Sequence, residues 1–247
     1  MRFMILVLAL LATTAGRAAD LVVKDGNTIQ LSGTTYRLDG VDAPAIDQLC
    51  LNEFADAYAC GADARVQLTK LIGDHPVHCD DLGPDKAFSK WHLGICTADG
   101  ATVSLNRLMV QRGFALAAEQ GPKSNFKSDQ DNAKKDVLGL WKGCFVPGTN
   151  FRHGIKDSAL LGSSCRSDKD KETRAVLFPS ETVAPPDCTV KGKFAVRAHV
   201  TGNLGIYHLQ VCRSYETVTK PDRWFCSEED AQAEGFRKAY NCRPRKK

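Results

Sequence analysis

The sequence lacks several features that would place it in a class at once. It has no apolar run approaching the roughly 20 residues that a membrane-spanning helix needs. Its net charge is only +4, too small to indicate a nucleic-acid-binding protein by electrostatics alone. No two cysteines follow the Cys-x-x-Cys spacing, which argues against a zinc ribbon or a thioredoxin-like redox site. What remains is a globular protein whose function must be sought in particular residues.

The N-terminus has the pattern of a signal peptide. Arg2 precedes an apolar run, and the small residues Gly16 and Ala18 stand where a signal peptidase needs them. A membrane anchor is the alternative, but the run is too short for one. We therefore predict a signal peptide over residues 1–18 and a secreted or periplasmic protein of the Gram-negative envelope. Ten cysteines, an even number, fit five disulfides in such an oxidising compartment.

Hydrophobic periodicity predicts an α+β fold in the first half of the chain. Three short β-prone runs between residues 21 and 38 are separated by turn signals and indicate a β-meander. Apolar residues at helical spacing then predict three helices, and further β-prone runs fall between the first two helices. The apolar stripes of the first and third helices are Ala64, Leu68, Leu71 and Ile72, and Ala133, Val137, Leu140 and Trp141. The second helix has Ser104 as its N-cap and ends at Gly113.

The second half divides into a linker and a small module. Prolines, serines and a charge run over residues 156–187 are typical of a linker. Residues 188–247 alternate β-prone runs with a stretch from Ser227 to Tyr240 that resembles a helix with a weak capping box. The predicted organisation is a signal peptide (1–18), a main domain (19–155), the linker (156–187) and a cysteine-rich C-terminal module (188–247).

Three motifs of the main domain resemble the staphylococcal-type thermonucleases. The first joins Asp25-Gly26-Asn27-Thr28 to Arg37-Leu38-Asp39-Gly40-Val41-Asp42-Ala43-Pro44. The others are Asp99-Gly100 followed by Leu105-Asn106-Arg107-Leu108, and Ala133-Lys134-Lys135 followed by Gly139-Leu140-Trp141. Their order and spacing agree over roughly residues 20–145. The resemblance implies an OB-type five-stranded barrel with three helices.

The resemblance also implies where a calcium-dependent site would lie. In that family, calcium is bound by two carboxylates and a backbone carbonyl, two arginines neutralise the phosphorane, and a glutamate activates water. The metal positions correspond to Asn27, Asp42 and Ala43, and the first arginine to Arg37. Asn27 is neutral, so the resemblance implies at most a weak calcium site and, in Arg37, a residual catalytic residue. Alternatively, Arg37 and Asp42 form only an ion pair.

Two further positions of the family site are replaced. The general base corresponds to Ala45, which cannot accept a proton, and the second arginine corresponds to Trp91. Lys90 could substitute as a point charge without bidentate geometry. Asp47 could act as a displaced base if it reached the site. The site is therefore expected to be degenerate.

The C-terminal module is similar to the zinc module of bacterial methylation-repair regulators. Its four ligand positions correspond here to His208, Cys212, Ala239 and Cys242. Because one ligand is lost and the compartment is oxidising, the resemblance favours a Cys212–Cys242 disulfide over zinc. The other expected pairs are Cys50–Cys60, Cys79–Cys96, Cys144–Cys165 and Cys188–Cys226.

The functional hypotheses differ in class. The leading one is a binding or accessory protein with a degenerate nuclease site, with an oligosaccharide or a nucleic acid as possible ligand. The whole chain resembles nuclease-like proteins of rhizobial succinoglycan (exopolysaccharide) gene clusters, which implies a role there. The alternatives are an active calcium-dependent phosphodiesterase with a rearranged site and a zinc-dependent interaction module. No cofactor is certain, and the sequence leaves enzymatic activity open.

Overall fold

A computed structural model describes residues 20–118, 125–196 and 202–242. The predicted signal peptide lies outside the described residues. Within these three ranges, none of the helices has both the length and the apolar character needed to cross a bilayer.

The main domain is built on a mixed five-stranded sheet with the order β1-β2-β3-β8-β7. Strands β3 and β8 are parallel, whereas the other neighbours are antiparallel. The strands are β1 (Leu21–Asp25), β2 (Thr28–Leu31), β3 (Thr34–Leu38), β7 (Val77–Pro84) and β8 (His92–Ala98). The predicted β-meander is confirmed. The sheet and the helices described below agree with the predicted α+β class. Among the described residues β1 and β7 are not paired, so closure into an OB-type barrel is not observed.

Short strand pairs and three helices flank this sheet. The pairs are β4 (Val41–Asp42) with β9 (Leu116–Ala117), and β5 (Cys50–Leu51) with β6 (Ala57–Tyr58). The helices are α1 (Cys60–Ile72), α2 (Leu105–Gln111) and α3 (Lys127–Lys135). The apolar stripe of α1 is mostly buried against the sheet. Ser104 caps α2 as predicted and accepts a hydrogen bond from the Arg107 amide at 3.3 Å. This packing forms the larger hydrophobic core.

The third helix is shorter than its apolar stripe predicted. Helix α3 ends at Lys135, Val137 takes a positive φ of 53°, and residues Gly139–Lys142 form a separate 3-10 turn. The close approach of Gly139 to the Gly113 carbonyl, which an added Cβ would meet at 2.4 Å, fixes this break. Leu140 and Trp141 are nevertheless buried, so the pattern identified core residues but not the helix boundary.

The chain after the family motifs packs on the main domain instead of leaving it. Helix α4 (Gly148–Arg152) is followed by a 3-10 turn (Ser167–Lys169) and α5 (Asp170–Leu177). Leu177 is fully buried in a cluster with Ala45, Leu51, Val146 and Phe151. Residues 156–187, predicted as a linker, are therefore folded for part of their length, because the charge run is the exposed face of α5.

The C-terminal module is a four-stranded sheet of order β12-β10-β11-β13 with one short helix. Its elements are β10 (Val190–Phe194), β11 (Gly205–His208), β12 (Arg223–Phe225), α6 (Glu228–Ala233) and β13 (Phe236–Lys238). The Ser227 hydroxyl caps α6 by accepting from the Asp230 amide at 3.1 Å. The helix predicted to reach Tyr240 ends early, since Gly235 takes a φ of 78° and Phe236 enters the sheet.

The ten cysteines form five disulfides, so none is free. The pairs are Cys50–Cys60, Cys79–Cys96, Cys144–Cys165, Cys188–Cys226 and Cys212–Cys242, the same five that the sequence analysis predicts. No disulfide crosses from the main domain to the C-terminal module, so non-covalent contacts join the two.

Candidate functional site

A cavity of about 800 Å³ lies between the main domain and the C-terminal module, and three residues of the family motifs, Arg37, Asp42 and Trp141, line it. Arg37 and Asp42 line it from the main domain, Thr149 and Arg152 from α4, and Glu234 from the end of α6. The module therefore forms part of the wall of the candidate site.

Asp42 is buried and fully engaged by α4. Its Oδ2 accepts a hydrogen bond from the Thr149 amide at 3.1 Å, and its Oδ1 accepts one from Arg152 Nη2. The neighbouring carbonyl oxygen of Ala43 accepts from Arg152 Nη1 at 2.9 Å. Gly148 makes this approach possible, because an added Cβ would lie only 2.1 Å from the Ala43 oxygen. One guanidinium thus binds two of the three groups that correspond to calcium ligands.

Arg152 is itself surrounded by acidic side chains. Its Nε lies 3.6 Å from Glu234 Oε2, and the charge of Asp25 also acts on it. Burial lowers the pKa of the Arg152 guanidinium, but the charges of Asp42, Glu234 and Asp25 more than offset this and hold the pKa above its ordinary value. Arg152 is therefore a permanent positive charge within the site.

Asn27 occupies the remaining one of the three positions that correspond to calcium ligands, and its side chain supports the backbone there. Its Nδ2 donates to the carbonyl of Val41 at 2.9 Å, and its own amide donates to Asp25 Oδ1 at 2.9 Å. Burial raises the pKa of the Asp25 carboxyl, although the hydrogen bonds from Asn27 and Thr28 and the charge of Arg152 oppose the rise. The Asn27 side chain thus holds the turn between β1 and β2 against β4.

Arg37 is paired with a carboxylate that the sequence analysis did not single out. Its Nε lies 3.0 Å from Asp85 Oδ2 in an ion pair, and its guanidinium lies 5.2 Å from the centre of the Trp91 ring. Trp91 is buried, so the second arginine position is occupied by an apolar ring against which Arg37 packs. Lys90 is exposed, with its Nζ 5.7 Å from the Phe88 ring.

The general-base position contains no proton acceptor. Ala45 is buried, and its amide donates to Gln48 Oε1 at 3.1 Å. Asp47, considered as a displaced base, is only 1% exposed and accepts from Arg223 Nε at 2.9 Å and from the Trp224 amide at 2.7 Å. These bonds dock the C-terminal module on the main domain, so Asp47 has a structural role.

The C-terminal module has the disulfide that the sequence analysis favours over a zinc site. Cys212 and Cys242 are joined in a disulfide, Ala239 is buried, and His208 Nδ1 lies 3.0 Å from Ser214 Oγ. Over the described ranges, no three His, Cys, Asp or Glu side chains are grouped so that they could hold a metal ion. Hard calcium prefers several anionic oxygens, whereas the oxygens of Asp42 and Ala43 are bonded to a guanidinium. The residues present do not fit calcium.

The residues that sequence reasoning missed are those contributed by elements outside the motifs. Arg152, Arg223 and Glu234 lie C-terminal to all three motifs, and Asp85 lies in the β7–β8 connection. One signal was available: a retained Asp42 whose second carboxylate is lost needs a cation, and arginines near the end of the domain were candidates to supply it.

Comparisons with known proteins agree with the motifs. The family model described as "Staphylococcal nuclease homologue" matches residues 35–143. The succinoglycan biosynthesis protein ExoI of Rhizobium meliloti (strain 1021) is 31% identical over 144 residues, which cover 56% of this chain and 73% of that protein. Arg152, Arg223 and Glu234 lie beyond the residues that the family model matches. With motifs, sheet and relative in agreement, this chain belongs to the staphylococcal nuclease homologue family.

Proposed function

We propose that this protein is an exported member of the family with a degenerate active site, which acts as a binding or accessory protein in exopolysaccharide production. The proposal depends chiefly on one observation, that no available proton acceptor lies at the position of the general base. Ala45 cannot accept a proton, and Asp47, two residues further on, is held by Arg223 and the Trp224 amide. Loss of a positioned base alone lowers the rate by roughly 10² to 10⁴.

The charges around the cavity support the same conclusion. The guanidinium of Arg37 is paired with Asp85, and that of Arg152 with Asp42 and Glu234. Neither cation is left to neutralise a phosphorane, a loss that by analogy with removed transition-state donors costs about 10² to 10³ in rate. The two losses need not multiply, because residues that act as a unit are not additive.

The same balance of charges bears on the ligand. A phosphodiester chain is attracted by uncompensated lysines and arginines, whereas the cavity offers paired charges together with the polar side chains of Gln130, Thr149 and Asn150. Such a lining favours an oligosaccharide over a nucleic acid. The similar R. meliloti protein is named for succinoglycan biosynthesis, and we extend that context to this chain. Five disulfides and the apolar N-terminus support export.

The test compares wild type with an Asn27→Asp, Ala45→Glu, Trp91→Arg triple variant on single-stranded DNA, with calcium and with EDTA. We expect no calcium-dependent cleavage by the wild type. Efficient cleavage by the wild type that EDTA abolishes would refute the proposal and establish the alternative, a calcium-dependent phosphodiesterase. Binding is measured in parallel by titrating the wild type with exopolysaccharide oligosaccharides and with a single-stranded oligonucleotide. Saturable binding of the oligonucleotide alone would contradict the proposed ligand class.

A further inference from the structure

The position that corresponds to the metal contains a positive charge supplied by the chain itself. Two oxygens that the family resemblance assigns to calcium, Asp42 Oδ1 and the Ala43 carbonyl, both accept hydrogen bonds from Arg152. We infer that the guanidinium of Arg152 is a resident cation that replaces the divalent metal and is held in place jointly by the main domain and the C-terminal module. This deepens the proposed function, since it concerns the same site.

The geometry of the guanidinium matches its surroundings. A planar fork with several donors can satisfy a carboxylate and a carbonyl together, which an ammonium group cannot do with the same geometry. Arg152 uses Nη2 for Asp42 and Nη1 for Ala43, while Nε faces Glu234 at 3.6 Å. Its side chain is 11% exposed. All three nitrogens of the fork therefore face oxygens.

The charge count explains why a cation is needed there. Asp42 and Glu234 lie against the guanidinium, and Asp25 adds a further acidic group whose charge acts on Arg152. Carboxylates buried together without a cation would repel one another and lose their hydration. In the family resemblance that role belongs to calcium. Here Arg152 supplies the positive charge without any exchangeable ion.

The C-terminal module supplies one of the acidic groups. Glu234 follows α6, and the same helix is held to the main domain by Asp230, whose Oδ1 lies 2.7 Å from Lys24 Nζ. The cation position is therefore closed only when the module is docked. This accounts for an arginine and a glutamate that both lie outside the family match.

The inference predicts that removing the guanidinium opens a site for a hard cation. In an Arg152→Ala variant, the carboxylates of Asp42 and Glu234 and the carbonyl of Ala43 lose their partner and face the cavity. Such oxygens suit calcium and its lanthanide analogues. We expect dissociation constants of about 10⁻⁴ to 10⁻³ M, the range of extracellular calcium modules, and binding at least about tenfold tighter than in the wild type.

The experiment titrates the full, disulfide-bonded protein with calcium by calorimetry and with terbium by luminescence. The matched control is Arg174→Ala, because Arg174 also bridges a carboxylate, Asp170, and two carbonyls. Within the described residues its ion pair is with Asp170 alone, and the charge of Asp157 adds only a smaller effect. An Asp42→Ala, Arg152→Ala double variant should lose the binding that the single variant gains. Arg152→Lys keeps the charge and should bind no better than the wild type.

Each outcome of these titrations either supports or overturns the inference that Arg152 replaces the metal ion. Binding gained in Arg152→Ala, absent in Arg174→Ala and lost again in the double variant supports the inference. Wild type that binds calcium as tightly as Arg152→Ala, or a folded Arg152→Ala that gains nothing, overturns it. If Arg152→Ala is unfolded in EDTA, the titration is followed by circular dichroism. Folding driven by terbium supports the inference, and a chain that stays unfolded contradicts it. Because the measurement is cation binding, saturable binding of the oligonucleotide alone, which refutes the proposed ligand class, leaves this inference intact.

Discussion

Two arginines from beyond the family motifs bind two carboxylates of the main domain, and they do so in different surroundings. Arg223 and Asp47 have side chains that are 2% and 1% exposed. Arg152 and Asp42 are 11% and 8% exposed and line the cavity. The first pair is completely enclosed, whereas the second borders a space that a ligand or an ion can reach. The same kind of ion pair thus docks the C-terminal module in one place and, in the other, occupies the position that the family resemblance assigns to a metal ion.

The packing around Arg223 explains its enclosure. Its guanidinium lies 5.1 Å from the ring centres of both Phe151 and Phe225, one from each side of the boundary between the two units. It also donates to the carbonyl oxygen of Arg152 at 3.3 Å. Arg223 therefore holds the C-terminal end of α4, and through it the position from which the Arg152 side chain enters the site.

The largest effect is expected where the enclosure is complete. Asp47→Ala leaves the Arg223 charge buried without its partner, and breaking a buried pair in this way costs about 3–5 kcal/mol. Thermal and denaturant unfolding would measure the loss. The control is Glu181→Ala, which removes a partner of Lys220 from a pair that is 74% and 61% exposed and should change stability by less than about 1 kcal/mol. Equal effects of the two variants would contradict a docking role for Asp47.

A smaller loss is expected at the cavity. Asp42→Ala removes one partner of Arg152, but Glu234 and the Ala43 carbonyl remain, and solvent in the cavity can hydrate the rest. We expect the free energy of unfolding to fall by about 1–3 kcal/mol, the range for leaving a buried polar group without its hydrogen-bond partner. The measurement is the same unfolding series, performed without metal. A loss as large as that of Asp47→Ala would mean that the two ion pairs contribute equally to stability, and would contradict the contrast between an enclosed pair and a cavity-lining pair.

The calcium affinity of the wild type sharpens the contrast further. With Asn27 neutral and Arg152 in place, we expect binding no tighter than about 10⁻³ M, the weak end for extracellular calcium modules. Asn27→Asp alone should not restore tight binding while the guanidinium remains. Calorimetry that found micromolar binding in either protein would show that Arg152 leaves its position readily.

The sequence predicted the parts of the molecule that depend on local pattern. The meander, the Ser104 and Ser227 caps and the buried Trp141 each follow from spacing or from a single side chain. The end of α3 and the early end of α6 were missed, because positive φ at Val137 and Gly235 is set by packing. Periodicity over 15 residues cannot reveal such a break.

The candidate site was predictable only on the side that the motifs cover. Asp42 and Arg37 were identified, but their partners Arg152 and Asp85 come from other elements at distances in sequence that no spacing rule connects. The segment 156–187 was interpreted as a linker because its charges are those of a solvated chain. The buried residues of its helix α5, Thr173 and Leu177, are too few to show a helical stripe. Tertiary contacts, not composition, decide both points.

The smallest effect on stability is expected at His208, which lies within the C-terminal module, and it concerns the pH dependence of unfolding. His208 is buried beside Ser214, and burial, with the charge of Lys191, lowers the pKa of its imidazole below the ordinary 6.5. Stability from the neutral ring is therefore complete above pH 6.5 and falls as the pH drops from 6.5 toward the lowered value, because only the unfolded chain takes up the proton. The loss is at most about 1.4 kcal/mol per pH unit.

His208→Asn keeps a polar partner for Ser214 and should flatten the pH dependence of thermal unfolding between pH 7 and 5, about the window of a histidine. An unchanged slope in that variant would assign the acid sensitivity to other groups.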